Sequence, residues 1–361
     1  MIKENLKYLT SLNGVPSQED AIINYVYDYF RKHNKNVEVD LLGNVISHYI
    51  GKNSDRKVMV FAHTDEIGLI VRKIEDNGFI RFERVGGVST QILPGLVMKI
   101  LTEKNDVRGV IGTPSHHYIS TSQKENLPTI AEMYIDTGCS SKQQVLEMGI
   151  DVGTMIVFDY TWIENGNVVF SKAMDDRVGV AILLDLAKLL KESQPETDVY
   201  LVAATMEEFN IRGVMPAVRK IKPDVTIGID ITPACDTPEM SYNDISLGKG
   251  PALTYMNFHG RGTLAGVLPD IQLVKSFEKI AKESNIPFQK EVASGVITEN
   301  AFILFENEGV SVANISIPTR YTHTPFEAVH LNDVKQAVSL IHKFLISDQA
   351  AKIYGKGRRE K

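Results

Sequence analysis

The spacing of hydrophobic residues changes twice along the chain. Residues 6–30 carry apolar side chains at helical spacing, residues 37–49 alternate as a strand does, and residues 58–62 form an apolar run typical of a buried strand. Between residues 71 and 163 the apolar runs become short and alternating, and Gly and Pro interrupt them, which indicates a small β-barrel or sandwich. From Asp175 onwards helical patterns and apolar strands alternate, which predicts βα units on a largely parallel sheet.

Together these patterns predict an α/β protein whose mixed, largely parallel sheet is flanked by helices and interrupted by a β-barrel-like insert. The main domain is expected to be discontinuous, with residues 1–70 and 164–350 on either side of a β-rich insert at residues 71–163. A small charged tail, residues 351–361, follows. A chain of 361 residues exceeds the usual size of one core, which agrees with a large domain plus an insert.

The composition limits the classes of function. Hydrophobic residues make up 43% and charged residues 23% of the chain, as in ordinary soluble globular proteins. The net charge of −6 offers no basic surface for nucleic acid and argues against an anionic membrane surface. No run approaches the ~20 apolar residues of a membrane helix, and the N-terminus lacks the apolar core of a secretory signal. The two cysteines, Cys139 and Cys235, form no CxxC pattern, so we expect a cytoplasmic protein.

Polar side chains that bind metals follow several of the predicted strands. In open α/β sheets, ligands bind beyond the carboxyl ends of the strands. Two histidines and several carboxylates are expected to meet there, which predicts a site for two divalent metal ions. The clusters are His63 and Asp65 after residues 58–62, Glu207 and Glu208 after residues 199–205, Asp230 after residues 225–229, His323 shortly after residues 312–317, and Asp175 and Asp176 before an apolar helix that begins near Val178.

The earlier clusters each allow more than one interpretation. His63 and Asp65 face the same side of an extended backbone, so one can bind a metal while the other fixes the imidazole. Asp65 and Glu66 could equally cap a turn, which leaves His63 as the firmer ligand. The dipole at a helix start explains one of Asp175 and Asp176, and the other is free to bridge two cations.

The later clusters are also ambiguous when taken alone. Glu207 and Glu208 leave the end of a strand in different directions, so we expect one to bind a metal and the other to move a proton. Asp230 could be a turn residue, and His323 could be a loop histidine bonded to the backbone. Their shared position at strand ends is what favours a common site.

The same segments resemble the tetrahedral aminopeptidases. These dinuclear metallopeptidases comprise glutamyl and deblocking aminopeptidases, and some members have been labelled endoglucanases. The resemblance extends from Asn13 to about Phe326 and implies a phosphorylase/hydrolase-like metallopeptidase domain. The motifs that carry it are Asn13-Gly-Val-Pro-Ser-Gln-Glu19, Ala62-His-Thr-Asp-Glu-Ile-Gly68, Lys172-Ala-Met-Asp-Asp-Arg177, Met206-Glu-Glu208 with Arg212-Gly213, Gly228-Ile-Asp230, Leu247-Gly-Lys-Gly-Pro251 and Arg320-Tyr-Thr-His-Thr-Pro325.

The resemblance implies a metal-binding role for five residues. Asp175 would bridge two divalent metal ions per subunit. His63 and Asp230 would complete one metal site, and Glu208 and His323 would complete the other. Mixed histidine and carboxylate ligation suits Zn²⁺ or Co²⁺, with Mn²⁺ as a further candidate.

The resemblance also implies the catalytic residues and the assembly. Glu207 would be the general base that acts on a water activated by the two metals, and Asp65 would orient His63. The insert would pair subunits, and the dimers would form a homo-oligomer of twelve, a dodecamer. The expected function is an aminopeptidase that releases N-terminal residues from peptides, with neither nucleic acid nor a membrane as a partner.

Two other classes of function remain open. One is a deacylase, a carboxypeptidase or another amidohydrolase on the same dinuclear site, and the other is a non-catalytic metal-binding or assembly protein, which the intact Glu207 argues against. Endoglucanase activity has little support, because glycoside hydrolysis needs two carboxylates that flank a sugar-binding cleft. The chain departs from the family at residues 295–301, where Gly-Gly-Thr-Asp-Ala is usual, and at residues 209–211, where Val-Gly-Leu is usual. Both segments are expected near the substrate, so the preferred N-terminal residue stays open.

Overall fold

The structure is a computed structural model that describes residues 2–115, 117–118, 126–238, 240–260, 264–352 and 354. Residues 353 and 355–361 of the predicted charged tail lie outside the described residues. The helices are α1 (Ile2–Ser11), α2 (Asp20–His33), α3 (Lys142–Glu147), α4 (Met174–Glu192), α5 (Glu207–Asn210), α6 (Met215–Ile221), α7 (Ile271–Glu283), α8 (Asn300–Ile303) and α9 (Leu331–Leu345), with 3-10 turns at Thr90–Ile92 and Asp348–Ala351.

The strands fall into one large sheet and one closed barrel. The sheet strands are β1 (Val37–Val39), β2 (Val45–Tyr49), β3 (Asn53–His63), β10 (Ile163–Asn165), β11 (Val168–Ser171), β12 (Thr197–Ala204), β13 (Val225–Pro233), β14 (Ala252–His259), β15 (Ala265–Val267), β16 (Gln289–Ser294), β17 (Ser311–Arg320) and β18 (Glu327–His330). The barrel strands are β4 (Gly68–Ile74), β5 (Ile80–Val85), β6 (Val97–Ile100), β7 (Val107–Ile111), β8 (Ile135–Asp136) and β9 (Met155–Phe158).

The main sheet has a parallel centre, and most of its outer strands pair antiparallel. Its order is β1-β2-β12-β3-β13-β17-β18-β11-β10, and β14 pairs with β17 and carries β15 and β16. The central strands β12, β3, β13 and β17 run parallel to one another, so their carboxyl ends share one edge. The predicted mixed α/β sheet is confirmed.

The alternation of side chains along β3 explains why helices cover both faces of the sheet. Val58, Val60 and Ala62 lie in one buried cluster together with residues of α1, α2, α4, α7 and α9. Met59 and Phe61, which point to the opposite face, lie in a second cluster together with residues of α6 and α8. A strand buried on both faces reads as a continuous apolar run, as residues 58–62 do.

The insert is a closed barrel, as the short alternating runs predict. Its strands pair in the order β4-β5-β8-β7-β6-β9, and every pair is antiparallel. The barrel has a core of its own, which includes Leu69, Phe82 and Ile156. Its first strand follows β3 after only residues 64–67, so the barrel adjoins the carboxyl edge of the sheet. The predicted domain limits at residues 71 and 163 stay a prediction.

Two stretches of the chain, each with the hydrophobic pattern of a single helix or strand, form two elements in the structure. Residues 6–30 are divided between α1 and α2, because the intervening segment contains Gly14 and Pro16, and Pro16 lacks the N–H that a helix needs. Residues 37–49 form a hairpin of β1 and β2, which turns at Gly43 with φ at +98°. No helix in the described part of the chain is long and apolar enough to cross a membrane.

Candidate active site

The residues predicted from strand ends lie together at the carboxyl edge of the parallel strands. His63 is the last residue of β3, Asp230 lies within β13, and Glu207 and Glu208 begin α5 after β12. Asp175 stands at the start of α4, and His323 lies in the loop between β17 and β18. A cavity of about 460 Å³ is lined by Asp175, Glu207, Glu208, Asp230 and His323.

Asp175 is the centre of the cluster. Its Oδ1 lies 3.0 Å from Nε2 of His63, and its Oδ2 lies 3.2 Å from Nε2 of His323. The same His323 nitrogen lies 3.5 Å from Oε1 of Glu208. Ligand atoms about 2.1 Å from one tetrahedral ion are separated by about 3.4 Å, so these spacings suit shared coordination. Each Asp175 oxygen faces a different histidine, which is the geometry that a bridging carboxylate requires.

Three backbone turns aim these side chains into the cavity. Ala173, Met206 and His323 have φ values of 56°, 59° and 61°, in the left-handed region that residues other than glycine rarely adopt. Ala173 stands two residues before Asp175, and Met206 immediately precedes Glu207. Such conformations cost of order 1–3 kcal/mol each and persist where the surrounding structure enforces them.

Asp65 holds the turn that carries the two glutamates. Its Oδ1 accepts a hydrogen bond of 3.0 Å from the N–H of Glu207, and its Oδ2 accepts one of 2.9 Å from the N–H of Glu208. The distance from Oδ1 to Nδ1 of His63 is 3.5 Å, which is longer than a normal hydrogen bond. His63 Nδ1 accordingly has no hydrogen-bond partner among the described residues. The shorter contacts of Asp65 are therefore those to the glutamate turn.

Glu327 joins two other parts of the site, and its only signal in the sequence is its place four residues after His323. It is buried, and its carboxylate accepts hydrogen bonds from the N–H of Asp175 at 3.0 Å and of His323 at 2.6 Å. Burial raises the pKa of Glu327 to about 8. One side chain thus fixes the backbone at both Asp175 and His323.

A buried ion cluster supports the segment that links β3 to the barrel. Lys172 Nζ lies 2.6 Å from both carboxylate oxygens of Glu66. Glu66 also accepts a hydrogen bond of 3.0 Å from the N–H of Gly14. Arg177 donates to the carbonyl of Leu9 at 2.6 Å. These contacts hold the segment after His63 against α1 and the start of α4. From the sequence alone, Glu66 is expected only as part of a turn cap.

Several carboxylates of the cluster are buried, and the positive charge beside them is too small to balance their negative charge. Burial raises the pKa of Glu208 to about 7, and it raises the pKa values of Glu207 and Asp230 well above their ordinary range. Burial also raises the pKa of Asp175, but the contacts with His323 and His63 outweigh it and lower that pKa. Divalent cations would favour the ionised carboxylates.

Two buried carboxylate oxygens without hydrogen-bond partners also support metal binding at this cluster. Oε1 of Glu208 and Oδ2 of Asp176 are buried and have no hydrogen-bond partner among the described residues. His63, Asp175 and Glu208 offer ligand atoms that all lie within 4.8 Å of one another. Imidazole nitrogen and carboxylate oxygen are ligands that suit Zn²⁺ and related divalent ions. The residues present therefore fit a divalent metal.

A larger groove lies elsewhere and contains none of these residues. It has a volume of about 760 Å³ and includes Val225 and Ser311, the first residues of β13 and β17. It is therefore at the amino ends of these strands, opposite the cluster. The smaller cavity is the candidate active site, because ligands of α/β sheets bind at the carboxyl ends.

Comparisons with known proteins agree with this location. The M42 glutamyl aminopeptidase family matches residues 43–340. SgcX of Escherichia coli K12, which is named a candidate aminopeptidase, is 41% identical over 94% of this chain and 92% of its own. An aminopeptidase structure from the archaeon Desulfurococcus kamchatkensis superposes with a TM-score of 0.91 at 35% identity, over 99% of this chain and 98% of that one.

A third similar protein has a described assembly. The TET1 peptidase of Pyrococcus horikoshii superposes with a TM-score of 0.84 at 28% identity, over 96% of this chain and 100% of that one, and it assembles into a tetrahedron or a large octahedral shell. The family match covers most of the chain, and the similar proteins agree with it. This chain belongs to the M42 glutamyl aminopeptidase family and is a hydrolase of peptide bonds.

Proposed function

We propose that this protein is an aminopeptidase that releases N-terminal residues from peptides by means of a water activated by two divalent metal ions, with Glu207 as general base. The observation that carries the proposal is the position of Asp175 between two histidines, at 3.0 Å and 3.2 Å. Membership of the M42 family supports peptide hydrolysis, and the buried carboxylates support metal binding.

The proposed ligands form two sets that share Asp175. His63 and Asp230 complete one set, and Glu208 and His323 complete the other. Zn²⁺ or Co²⁺ fits such ligands, and Mn²⁺ is a further candidate. When bound, the two ions would lower the pKa of a shared water and polarise the scissile carbonyl.

Glu207 is the proposed general base because it lines the cavity without being needed as a ligand. Asp65 fixes the backbone of Glu207 by accepting a hydrogen bond from its N–H, and burial raises the pKa of the Glu207 carboxylate. Glu207 would accept a proton from the water and then pass it to the leaving amine. Asp65 is proposed to orient both the glutamate turn and, at 3.5 Å, the imidazole of His63.

We also propose that the chain forms a homo-oligomer in which the barrel pairs subunits and dimers build a dodecamer. The TET1 peptidase of Pyrococcus horikoshii can assemble into a tetrahedron or a large octahedral shell, and the similar structure PhTET1-12s is a dodecamer. Such a shell would admit only peptides that can enter it. A cytoplasmic location remains a prediction.

A substrate panel tests the proposed function. Metal-supplemented protein is assayed with peptides that have a free α-amine and with the same peptides N-acetylated, and chelator-treated protein is the control. We expect metal-dependent release of the first residue from the free-amine peptides alone. Equal or faster hydrolysis of the N-acetylated peptides would favour a deacylase or another amidohydrolase instead.

A further inference from the structure

One part of the candidate active-site cavity, which we call the second compartment, is lined by Asn257 and Glu291. Glu291 of β16 lines the same cavity as Asp175 and Glu207 and is only 1% exposed. Its two oxygens accept hydrogen bonds from the hydroxyls of Thr232 and Thr254, the latter at 2.6 Å. No lysine or arginine in the described part of the chain forms an ion pair with Glu291. Among the described residues, this acidic group of the cavity therefore has hydroxyl partners but neither a lysine nor an arginine partner.

The same compartment contains a second hydrogen-bond acceptor, and this one lacks a donor. Asn257 of β14 lines the cavity and is 2% exposed, and its Oδ1 has no hydrogen-bond partner among the described residues. A buried acceptor without a donor is energetically unfavourable, so a ligand that supplies the donor is favoured. A carboxylate and an amide oxygen together select a group that has several donors and a positive charge.

The distance between this compartment and the metal cluster suits one amino-acid side chain. Asp230 and Thr232 are two residues apart on β13, so they point to the same face of the sheet and lie about 7 Å apart. Because Thr232 bonds to Glu291, the carboxylate of Glu291 is one side-chain length beyond the proposed ligand Asp230. A residue whose backbone is held at the metal cluster could therefore reach Glu291 with the end of a long side chain.

The remaining walls suit the stem of such a side chain. Val296 and Ile297 also line the cavity. Val296 and Ile297 belong to the segment that departs from the family's usual Gly-Gly-Thr-Asp-Ala. Their side chains add apolar surface that glycine would not supply. Lysine and arginine combine an apolar stem with a charged end, and such side chains bury the stem along apolar surface.

We propose that this compartment binds the side chain of the substrate's N-terminal residue and selects lysine or arginine. Glu291 supplies the negative charge, Asn257 accepts a further hydrogen bond, and Val296 and Ile297 contact the stem. An acidic side chain would meet like charge and be disfavoured. The inference rests on the proposed aminopeptidase function and adds its substrate class.

The test compares two substrates that differ only at the end of the side chain. Lysine p-nitroanilide and norleucine p-nitroanilide have the same carbon stem, but norleucine lacks the ammonium group. For metal-loaded wild-type protein we expect kcat/KM for the lysyl substrate to exceed that for the norleucyl substrate at least about tenfold, since a site built for a polar group rejects an analogue without it. Arginyl, leucyl and glutamyl substrates complete the panel, and we expect the arginyl one to follow lysyl.

Two variants assign the preference to a residue. Glu291→Gln keeps the shape and the threonine contacts but removes the charge, so the lysyl kcat/KM should fall roughly 10- to 100-fold, the range of a charge-assisted hydrogen bond, while the norleucyl value stays within about threefold. Glu278→Gln is the matched control, because Glu278 lies on α7, pairs with Lys282 and Lys290 and is not part of the cavity wall. It should leave the ratio of the two substrates unchanged.

The outcomes separate this inference from the proposed function. Turnover with a neutral or acidic preference, or an unchanged lysyl-to-norleucyl ratio in Glu291→Gln, would overturn the assignment of the compartment and leave the aminopeptidase proposal standing. No turnover of any free-amine substrate would instead overturn the proposed function. Because the ratio is an internal measure, loss of folded protein in a variant does not alter it.

Discussion

Replacement of Asp65 by Asn tests whether this carboxylate holds the catalytic turn. Each oxygen of Asp65 accepts one backbone N–H, from Glu207 at 3.0 Å and from Glu208 at 2.9 Å. An amide has one acceptor oxygen, so in Asp65→Asn an NH₂ group would face one of the two buried N–H groups. An unsatisfied buried donor costs about 1–3 kcal/mol, and we expect the free energy of unfolding to fall by that amount.

The same change should reduce turnover more than it reduces stability. Glu207 and Glu208 begin α5 directly at these hydrogen bonds, and a displacement of about 1 Å at a catalytic group can cost on the order of 10²-fold in rate. Urea unfolding of chelator-treated protein measures the stability, and kcat/KM on a free-amine substrate measures the turnover.

Asp270 provides the matched control. Its Oδ1 alone accepts hydrogen bonds from the N–H groups of Gln272 and Leu273 at the start of α7, and Asp270 lies in the groove at the amino ends of the strands, not in the active-site cavity. Asn caps a helix about as well as Asp, so Asp270→Asn should leave both stability and turnover close to wild type. If Asp65→Asn also unfolded and turned over like wild type, the positioning role given to Asp65 would be wrong.

Three further predictions concern the base, a buried acid and the assembly. Glu207→Gln should retain its metal content and fold but lose turnover by about 10²–10⁴-fold, and near-normal activity would remove it from the mechanism. Burial raises the pKa of Glu299 to about 8, so the folded state holds a proton that the unfolded state releases above about 4.5, and the metal-free protein should lose stability as pH rises from about 5 to 8. Glu299→Gln should flatten that decline in urea unfolding, and an unchanged slope would contradict the reasoning. Light scattering should show at least a dimer that depends on the barrel, whereas a metal-loaded monomer at high concentration would exclude the proposed assembly.

The strand ends were predictable because burial and periodicity are local properties. Residues 58–62 and 199–205 read as buried strands, and the polar residues after them therefore had to emerge at one edge of a parallel sheet. The order of the strands brings β12, β3 and β13 side by side, which places His63, Glu207 and Asp230 together. The barrel was similarly visible in its short alternating runs.

The contacts that hold the site were not predictable in this way. Asp65 and Glu207 are far apart in sequence, and only the docking of β12 beside β3 brings the carboxylate to the start of α5. The link that Glu327 makes between Asp175 and His323 likewise depends on the pairing of β18 with β17. A single sequence shows that such carboxylates exist but not which backbone N–H groups they meet.

The metal content of the protein tests the central claim most directly. Metal-supplemented protein, freed of excess ions, is analysed for bound metal per chain, and Asp175→Asn and His63→Ala are analysed in parallel. Because Asp175 faces both histidines, we expect two divalent ions per chain in the wild type, loss of both in Asp175→Asn, and chiefly the loss of one in His63→Ala. A wild-type protein that never binds more than one ion per chain would contradict the dinuclear site.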